Sequence, residues 1–130
     1  MSLLQPRPLR GALALALALA AAPAMAQSPF SSTVFFGDSL TDSGHFRPVL
    51  TQINPAASVA GRFTTNPGYV WAEYLAKHYG TLALPNGNGQ GGDNYAVGGA
   101  RVAVDTVGAL GATPVMTTQL GSCLEADGGA

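Results

Sequence analysis

The chain has 130 residues, with six Lys/Arg against seven Asp/Glu and a net charge of −1. Beyond the first ten residues no cluster of Lys or Arg occurs, so a phosphate backbone would find no basic footprint and nucleic acid is excluded as a partner. One cysteine, Cys123, and two histidines leave no basis for an intramolecular disulfide framework or an ordinary zinc site, and no metal or cofactor is expected.

Residues 1–26 read as a secretory signal peptide. Arg7 and Arg10 form a basic lead, Gly11 to Ala22 is an uninterrupted Ala/Leu run too short for a stable membrane anchor, and Ala24-Met25-Ala26 supplies the small residues of a cleavage site. Cleavage there makes Gln27 the mature terminus and the product exported: periplasmic, associated with the outer membrane, or secreted. Residues 27–130 are then enough for one small domain.

The polar lead-in Gln27 to Ser32 is followed by Thr33 and the apolar run Val34-Phe35-Phe36, which reads as a buried strand. It breaks at Gly37 into Asp38-Ser39. A strand ending this way puts the Ser39 hydroxyl at the carboxyl edge of a sheet, where ligands of open α/β sheets collect. A serine there serves as a nucleophile if a base takes its proton and donors hold an oxyanion. From these three residues alone, a turn in which Asp38 and Ser39 only bond local backbone is the favoured reading.

Arg47 to Ala60, with Pro48 and Pro55, reads as loop carrying one short helical turn. Asn66 as cap and Pro67 at the first helical position start a helix whose apolar face is Val70, Trp71, Tyr74, Leu75 and His78, with Gly80 as its stop. Trp71 and Tyr74 are expected in the core. Thr81 to Pro85 reads as a brief extended piece, and Asn86 to Gly92 as a Gly/Asn-rich loop lacking the Gly-Lys-Ser/Thr ending of a phosphate loop. Asp93 to Val97 reads as a second strand running into Gly98-Gly99-Ala100. Val102 to Val107 fits strand or helix equally. Thr113 to Ala126 reads as a second helix with Val115, Met116, Gln119, Leu120, Cys123 and Leu124 on one face.

The contiguous string Phe36-Gly37-Asp38-Ser39-Leu40-Thr41-Asp42-Ser43-Gly44 after an apolar strand resembles the nucleophile block of the GDSL (SGNH) serine esterases and lipases. Arg62-Phe63-Thr64 is similar to a segment that precedes a helix in secreted members. Asn94-Tyr95-Ala96-Val97-Gly98-Gly99-Ala100 resembles the family's second block, in which a strand-end glycine donates its N–H to the oxyanion. Gly99 takes that role by its position after the Asn, with Gly98 as the fallback.

The resemblance implies an α/β fold, the three-layer SGNH-hydrolase (flavodoxin-like) arrangement around a parallel sheet, of which residues 27–130 are the N-terminal part. It implies hydrolysis of carboxylic esters through an acyl-enzyme on Ser39. The backbone N–H groups of Ser39 and Gly99 would form the oxyanion hole, Asp38 would shape the turn, and no cofactor or metal would take part. The substrate would be a small-molecule or lipid ester.

The family's Gly-x-Asn-Asp block does not occur in the sequence. Asp42-Ser43-Gly44-His45 matches the family's Asp-x-x-His literally, but lies three to six positions after Ser39, too close to face its hydroxyl across a site. The expectation is therefore the N-terminal part of a longer enzyme, inactive as this segment alone. The opening Ser-Pro-Phe and Gly61-Arg62-Phe63-Thr64 resemble autotransporter-type members that hold the esterase at the outer membrane through a C-terminal β-barrel. Two other readings share the scaffold: a non-catalytic secreted passenger or pseudoenzyme, and a carbohydrate acetylesterase.

Overall fold

The computed structural model describes residues 30–59, 61–64 and 68–128. The segment read as a signal peptide and the Asn66-Pro67 pair lie outside the described residues. The helix that pair was expected to start begins later, at Trp71, with Val70 as its extended cap residue and residues 68–70 non-helical.

Three extended segments run side by side in parallel register, joined at single bridges: Phe35 to Asn94, and Asn94 to Pro85. Residues 93–97 lie in the middle. On one side Phe35 N–H donates to Asp93 O, while Tyr95 N–H and Val97 N–H donate to Phe35 O and Gly37 O at 2.8 and 3.1 Å. On the other, Asn94 N–H donates to Leu84 O and Asn86 N–H to Asn94 O. The apolar run at Val34 to Phe36 and the pieces at Thr81 to Pro85 and Asp93 to Val97, each read as extended, thus lie side by side, although no continuous parallel strand forms. Among the described residues the one assigned sheet is antiparallel and two-stranded, β1 (Thr106–Gly108) against β2 (Gly111–Thr113). A parallel three-layer sheet is therefore not what these residues display. Each parallel contact is too short to make a ladder.

Helix α1 (Arg47–Ile53) is longer than the one short helical turn expected in the loop after the nucleophile block. Pro48 lies within its first turn, where a missing N–H costs nothing and the fixed φ favours the helix. The chain then reverses at Asn54, whose Oδ1 accepts from Ala56 N–H, into a 3-10 helix at Pro55–Val59. Two prolines that read as breakers are in fact starters, one for each element.

Helix α2 (Trp71–His78) buries a different face from the one its large residues mark. Trp71 is 52 % exposed and Tyr74, Leu75 and His78 are exposed too, whereas Ala72 and Ala76 are fully buried against Phe35, Val70 and Ala83. The helix lies directly on the extended segments, and only a methyl-sized side chain fits in that contact. Trp71 reaches over the edge instead: its ring meets Phe35 edge-on at 5.8 Å and its Nε1–H donates to Thr41 Oγ1. Glu73 fixes the helix start by accepting from Val70 N–H and pairing with Arg62 at 2.9 Å. Gly80, with φ 71°, ends it in a Schellman turn, with Gly80 N–H donating to Lys77 O and Thr81 N–H to Ala76 O.

Helix α3 (Met116–Ala126) begins three residues after the predicted Thr113, which belongs to β2. Thr113 and Thr106 join their hydroxyls across the hairpin, which keeps Thr113 out of the helix. Asp105 accepts from Val115 N–H at 2.7 Å and from the Thr118 hydroxyl, so an acidic side chain from a distant loop covers the positive end of α3. Val115, Gln119 and Cys123, spaced by four, turn inward; Met116, Leu120 and Leu124 are exposed. The inward stripe is narrower than the apolar pattern predicts and has a polar residue at its centre.

Candidate active site

The Gly37-Asp38-Ser39 turn sits where the first extended segment ends. Asp38 organises it with two kinds of oxygen: its backbone carbonyl accepts from Thr41 N–H and Asp42 N–H, both at 3.1 Å, and its Oδ1 accepts from Leu40 N–H at 3.0 Å. This is the hydrogen-bonding habit of an aspartate that opens a turn. Ser39, half-buried, rides on that turn, and among the described residues neither its hydroxyl nor its N–H has a partner.

The loop that follows is fastened by buried polar groups. The carboxylate of Asp42, fully buried, accepts three backbone donors, each at 2.7 Å: Gly44 N–H and His45 N–H on Oδ1, and Gly98 N–H on Oδ2. The third of these ties the nucleophile block to the Asn94–Ala100 block. Asn94, also fully buried, makes a second tie, its Nδ2 donating to Thr41 O at 2.8 Å and to Ser43 Oγ at 3.0 Å while its Oδ1 accepts from Ala96 N–H. Ser43 donates onward to Ala83 O at 2.6 Å. All three extended segments therefore meet in one buried network, and each side chain in it has its hydrogen bonds made, as a low-dielectric interior demands.

This network separates the two glycines that could serve an oxyanion. The N–H of Gly98, a buried residue, is spent on Asp42. Gly99 is exposed, has a φ of 89°, and among the described residues its N–H has no acceptor. A left-handed φ of that kind is strained for any residue with a Cβ.

Asp42 and His45 do not form a catalytic pair. Asp42 meets the backbone N–H of His45 and not its imidazole. The ring lies instead beneath the Asn86–Gly92 loop, so close to Gly87 that a Cβ there would overlap it, with Phe46 edge-on at 4.6 Å. Its buried Nδ1 has no partner. Burial pulls the imidazole below its ordinary pKa of 6.5, against a smaller upward pull from Asp42. His78 is exposed on α2, edge-on to Tyr79.

From the opposite side comes a residue that sequence reasoning counted only as part of a helical face. Gln119 of α3, 1 % exposed, accepts from Gly37 N–H at 2.8 Å through Oε1 and donates to Gly37 O at 2.9 Å through Nε2. Its second amide hydrogen goes to Pro114 O at 2.9 Å. The signal available in the sequence was a lone amide between Val115 and Cys123 on the inward stripe. Beside it Tyr95 stacks on Phe36 at 5.7 Å, and burial, reinforced by the Cys123 thiol, raises its phenol above the usual range.

Two clefts flank the Gly98–Val102 segment. One, about 360 Å³, is lined by Phe36, Gly37, Asp38, Thr41, Ala100 and Met116 among others; the second, about 500 Å³, is lined by Phe46, Phe63, Gly99, Val107 and Leu110 among others. Arg101 borders both. Ser39 lines neither of these two clefts and Gly99 lines the second, while their two blocks are joined by the Val97–Gly37 and Gly98–Asp42 hydrogen bonds.

The string around Ser39, its parallel pairing with the Asn94 segment, and the terminal glycines agree with one family. A model of the GDSL-like lipase/acylhydrolase family matches residues 33–126, from the first extended segment to the end of α3. The chain belongs to that family. Membership carries with it the SGNH-hydrolase fold and, in general terms, the hydrolysis of acyl esters. No curated protein and no solved structure matches the chain. In this GDSL-family chain the matched region includes all the buried ties just described, those of Asp42, Asn94 and Gln119.

Proposed function

We propose that the chain is the nucleophile-bearing part of an exported serine esterase or lipase of the GDSL family. Ser39 Oγ attacks the ester carbonyl while its proton passes to a base. The tetrahedral oxyanion is held by Ser39 N–H and Gly99 N–H, and the alcohol leaves with a proton. Water then cleaves the acyl-enzyme and restores the serine.

The observation that carries this reading is the division of labour at the turn. Asp38 and Asp42 take up the surrounding N–H groups, and those of Ser39 and Gly99 remain without an acceptor among the described residues. Asp38 is turn-shaping here and no base. The base, its orienting acid and the oxyanion asparagine belong to the family's Gly-x-Asn-Asp and Asp-x-x-His blocks. The first does not occur in the 130 residues, and the Asp42–His45 match to the second is engaged elsewhere. The enzyme we propose therefore includes residues supplied by a longer polypeptide, completing a three-layer parallel α/β domain. Export through residues 1–26 belongs to the same proposal and is supported by the N-terminal pattern; an outer-membrane anchor of the autotransporter type rests on the resemblance of the Ser-Pro-Phe opening and Gly61-Arg62-Phe63-Thr64 to such members.

The test is fluorophosphonate labelling of the full gene product, with aryl esters as substrates. Labelling at Ser39, abolished together with at least ~10³-fold of the esterase activity by Ser39→Ala, is expected. A gene product that folds but neither labels nor hydrolyses any ester sinks the proposal in favour of a non-catalytic module. Terminal sequencing of the same preparation is expected to start at Gln27.

A further inference from the structure

We infer that Gln119 is a positioning residue for the Ser39 turn, acting through the backbone of Gly37; this rests on the reading of Ser39 as the nucleophile. Gly37 is the joint between the first extended segment and the turn. Its φ of 142° is open to glycine and unfavourable for other residues, and a Cβ there would lie 3.1 Å from Thr41 Oγ1, because the turn folds back over it. The same freedom that lets glycine take this geometry lets it leave it. Something outside the turn has to hold the joint.

Gln119 has the form of such a holder. Its primary amide lies against Gly37 like the backbone of a neighbouring strand, one acceptor and one donor engaged at 2.8 and 2.9 Å. The remaining donor is fixed on Pro114 O, at the entry to α3, so the amide cannot rotate without breaking a bond. A buried amide in an apolar stripe is unfavourable compared with leucine unless every polar atom is paired, and here every one is. Among the described residues no other side chain bonds to the Gly37 backbone; its remaining partner is Val97 N–H at 3.1 Å. Through this contact α3 sets the angle at which the chain enters Asp38-Ser39, although it lies 82 positions away in sequence.

Two variants in the full chain test it. Gln119→Leu removes all three bonds at similar volume. Gln119→Glu keeps an acceptor for Gly37 N–H but sets a carboxylate against the Gly37 and Pro114 carbonyls. The first readout is amide hydrogen exchange at Thr41 and Asp42, whose N–H groups close the turn on Asp38 O and do not touch Gln119. Exchange there is expected to rise roughly tenfold in both variants. Asn94 N–H, bonded to Leu84 O on the far side, should stay protected and so report an intact fold.

Faster exchange at Gly37 alone, with Thr41 and Asp42 unchanged, would mean that Gln119 merely fills its own site, and overturns the inference. The second readout is the rate of Ser39 labelling by a fluorophosphonate, expected to fall roughly tenfold to a hundredfold with half-saturation by the reagent unchanged. An unchanged labelling rate overturns the inference equally. A wild-type chain that does not label refutes the nucleophile reading, and the exchange readout then decides by itself whether Gln119 holds the turn. Should Gln119→Leu not fold, Gln119→Glu carries both readouts.

Discussion

The loop around Ser39 and the outer helical faces are built on opposite principles. The first is short of large apolar side chains and rich in buried polar ones: Asp42, Ser43 and Asn94 are almost wholly inaccessible and fully hydrogen-bonded. The second has the large apolar residues but leaves them out: Trp71 and Leu124 are more than half exposed, and Val102 in the arm after Gly99 is 91 % exposed. The contrast teaches that in this chain burial follows the approach of backbones. Where two segments come close, small or backbone-bonding side chains are enclosed and bulky ones are displaced to the rim. Directional bonds then fix geometry at the turn, where apolar contacts alone would leave its orientation loose.

That contrast can be broken most severely at Asp42. Asp42→Ala would leave three N–H donors, two of them buried and one partly so, without an acceptor, and a loss of about 3–5 kcal/mol is expected from chemical denaturation, enough to unfold a marginal domain. A loss below about 1 kcal/mol would show that water replaces the carboxylate and that the network is dispensable.

A paired comparison on the helices sharpens the other half. Ala76→Leu, which adds apolar volume at a fully buried contact, is expected to cost about 1–3 kcal/mol. Leu124→Ala, which removes apolar volume from an exposed face, should change stability by less than about 0.5 kcal/mol. The reverse ranking in thermal melts would mean that the exposed faces are covered in solution.

The smallest effect is expected from His45. Its folded-state pKa lies below the ordinary value of 6.5, chiefly through burial, so the unfolded chain binds the proton more readily. Stability is then unaffected above that ordinary value and declines as pH falls below it toward the folded pKa. Because the ring remains partly exposed, the decline should be shallow. Melting temperatures from pH 8 to pH 5 should show it in the parent chain and show less of it in His45→Gln; identical profiles would remove His45 as the cause.

Much of the site was legible in the sequence because it is local. Residues 33–44 contain a strand end, a glycine joint and a turn-forming aspartate in direct succession, and such short-range chemistry needs no knowledge of the rest of the chain. The same holds for Gly80 as a helix stop and for the Gly98-Gly99 strand exit. The faces of α2 and α3 were misread because periodicity ranks residues by hydrophobicity, while the neighbouring backbone selects by size. The helix at Arg47 to Ile53 was read only as one short turn within a loop, because proline marks a helix start as readily as a break and only the neighbouring turn distinguishes them.

By itself the sequence determined the family, the location of Ser39 at the end of an extended segment, and the choice of glycines that follow Asn94. Three things were decided only by the tertiary structure: that Asp42 binds backbone and leaves His45's ring alone, that Gly98 N–H is occupied while Gly99 N–H has no acceptor among the described residues, and that Gln119 grips Gly37. The Asp42–Gly98 and Gln119–Gly37 contacts join residues 56 and 82 positions apart through a few hydrogen bonds. A bond of that kind depends on where two backbones come to lie in space, and no pattern within either segment encodes the distance between them.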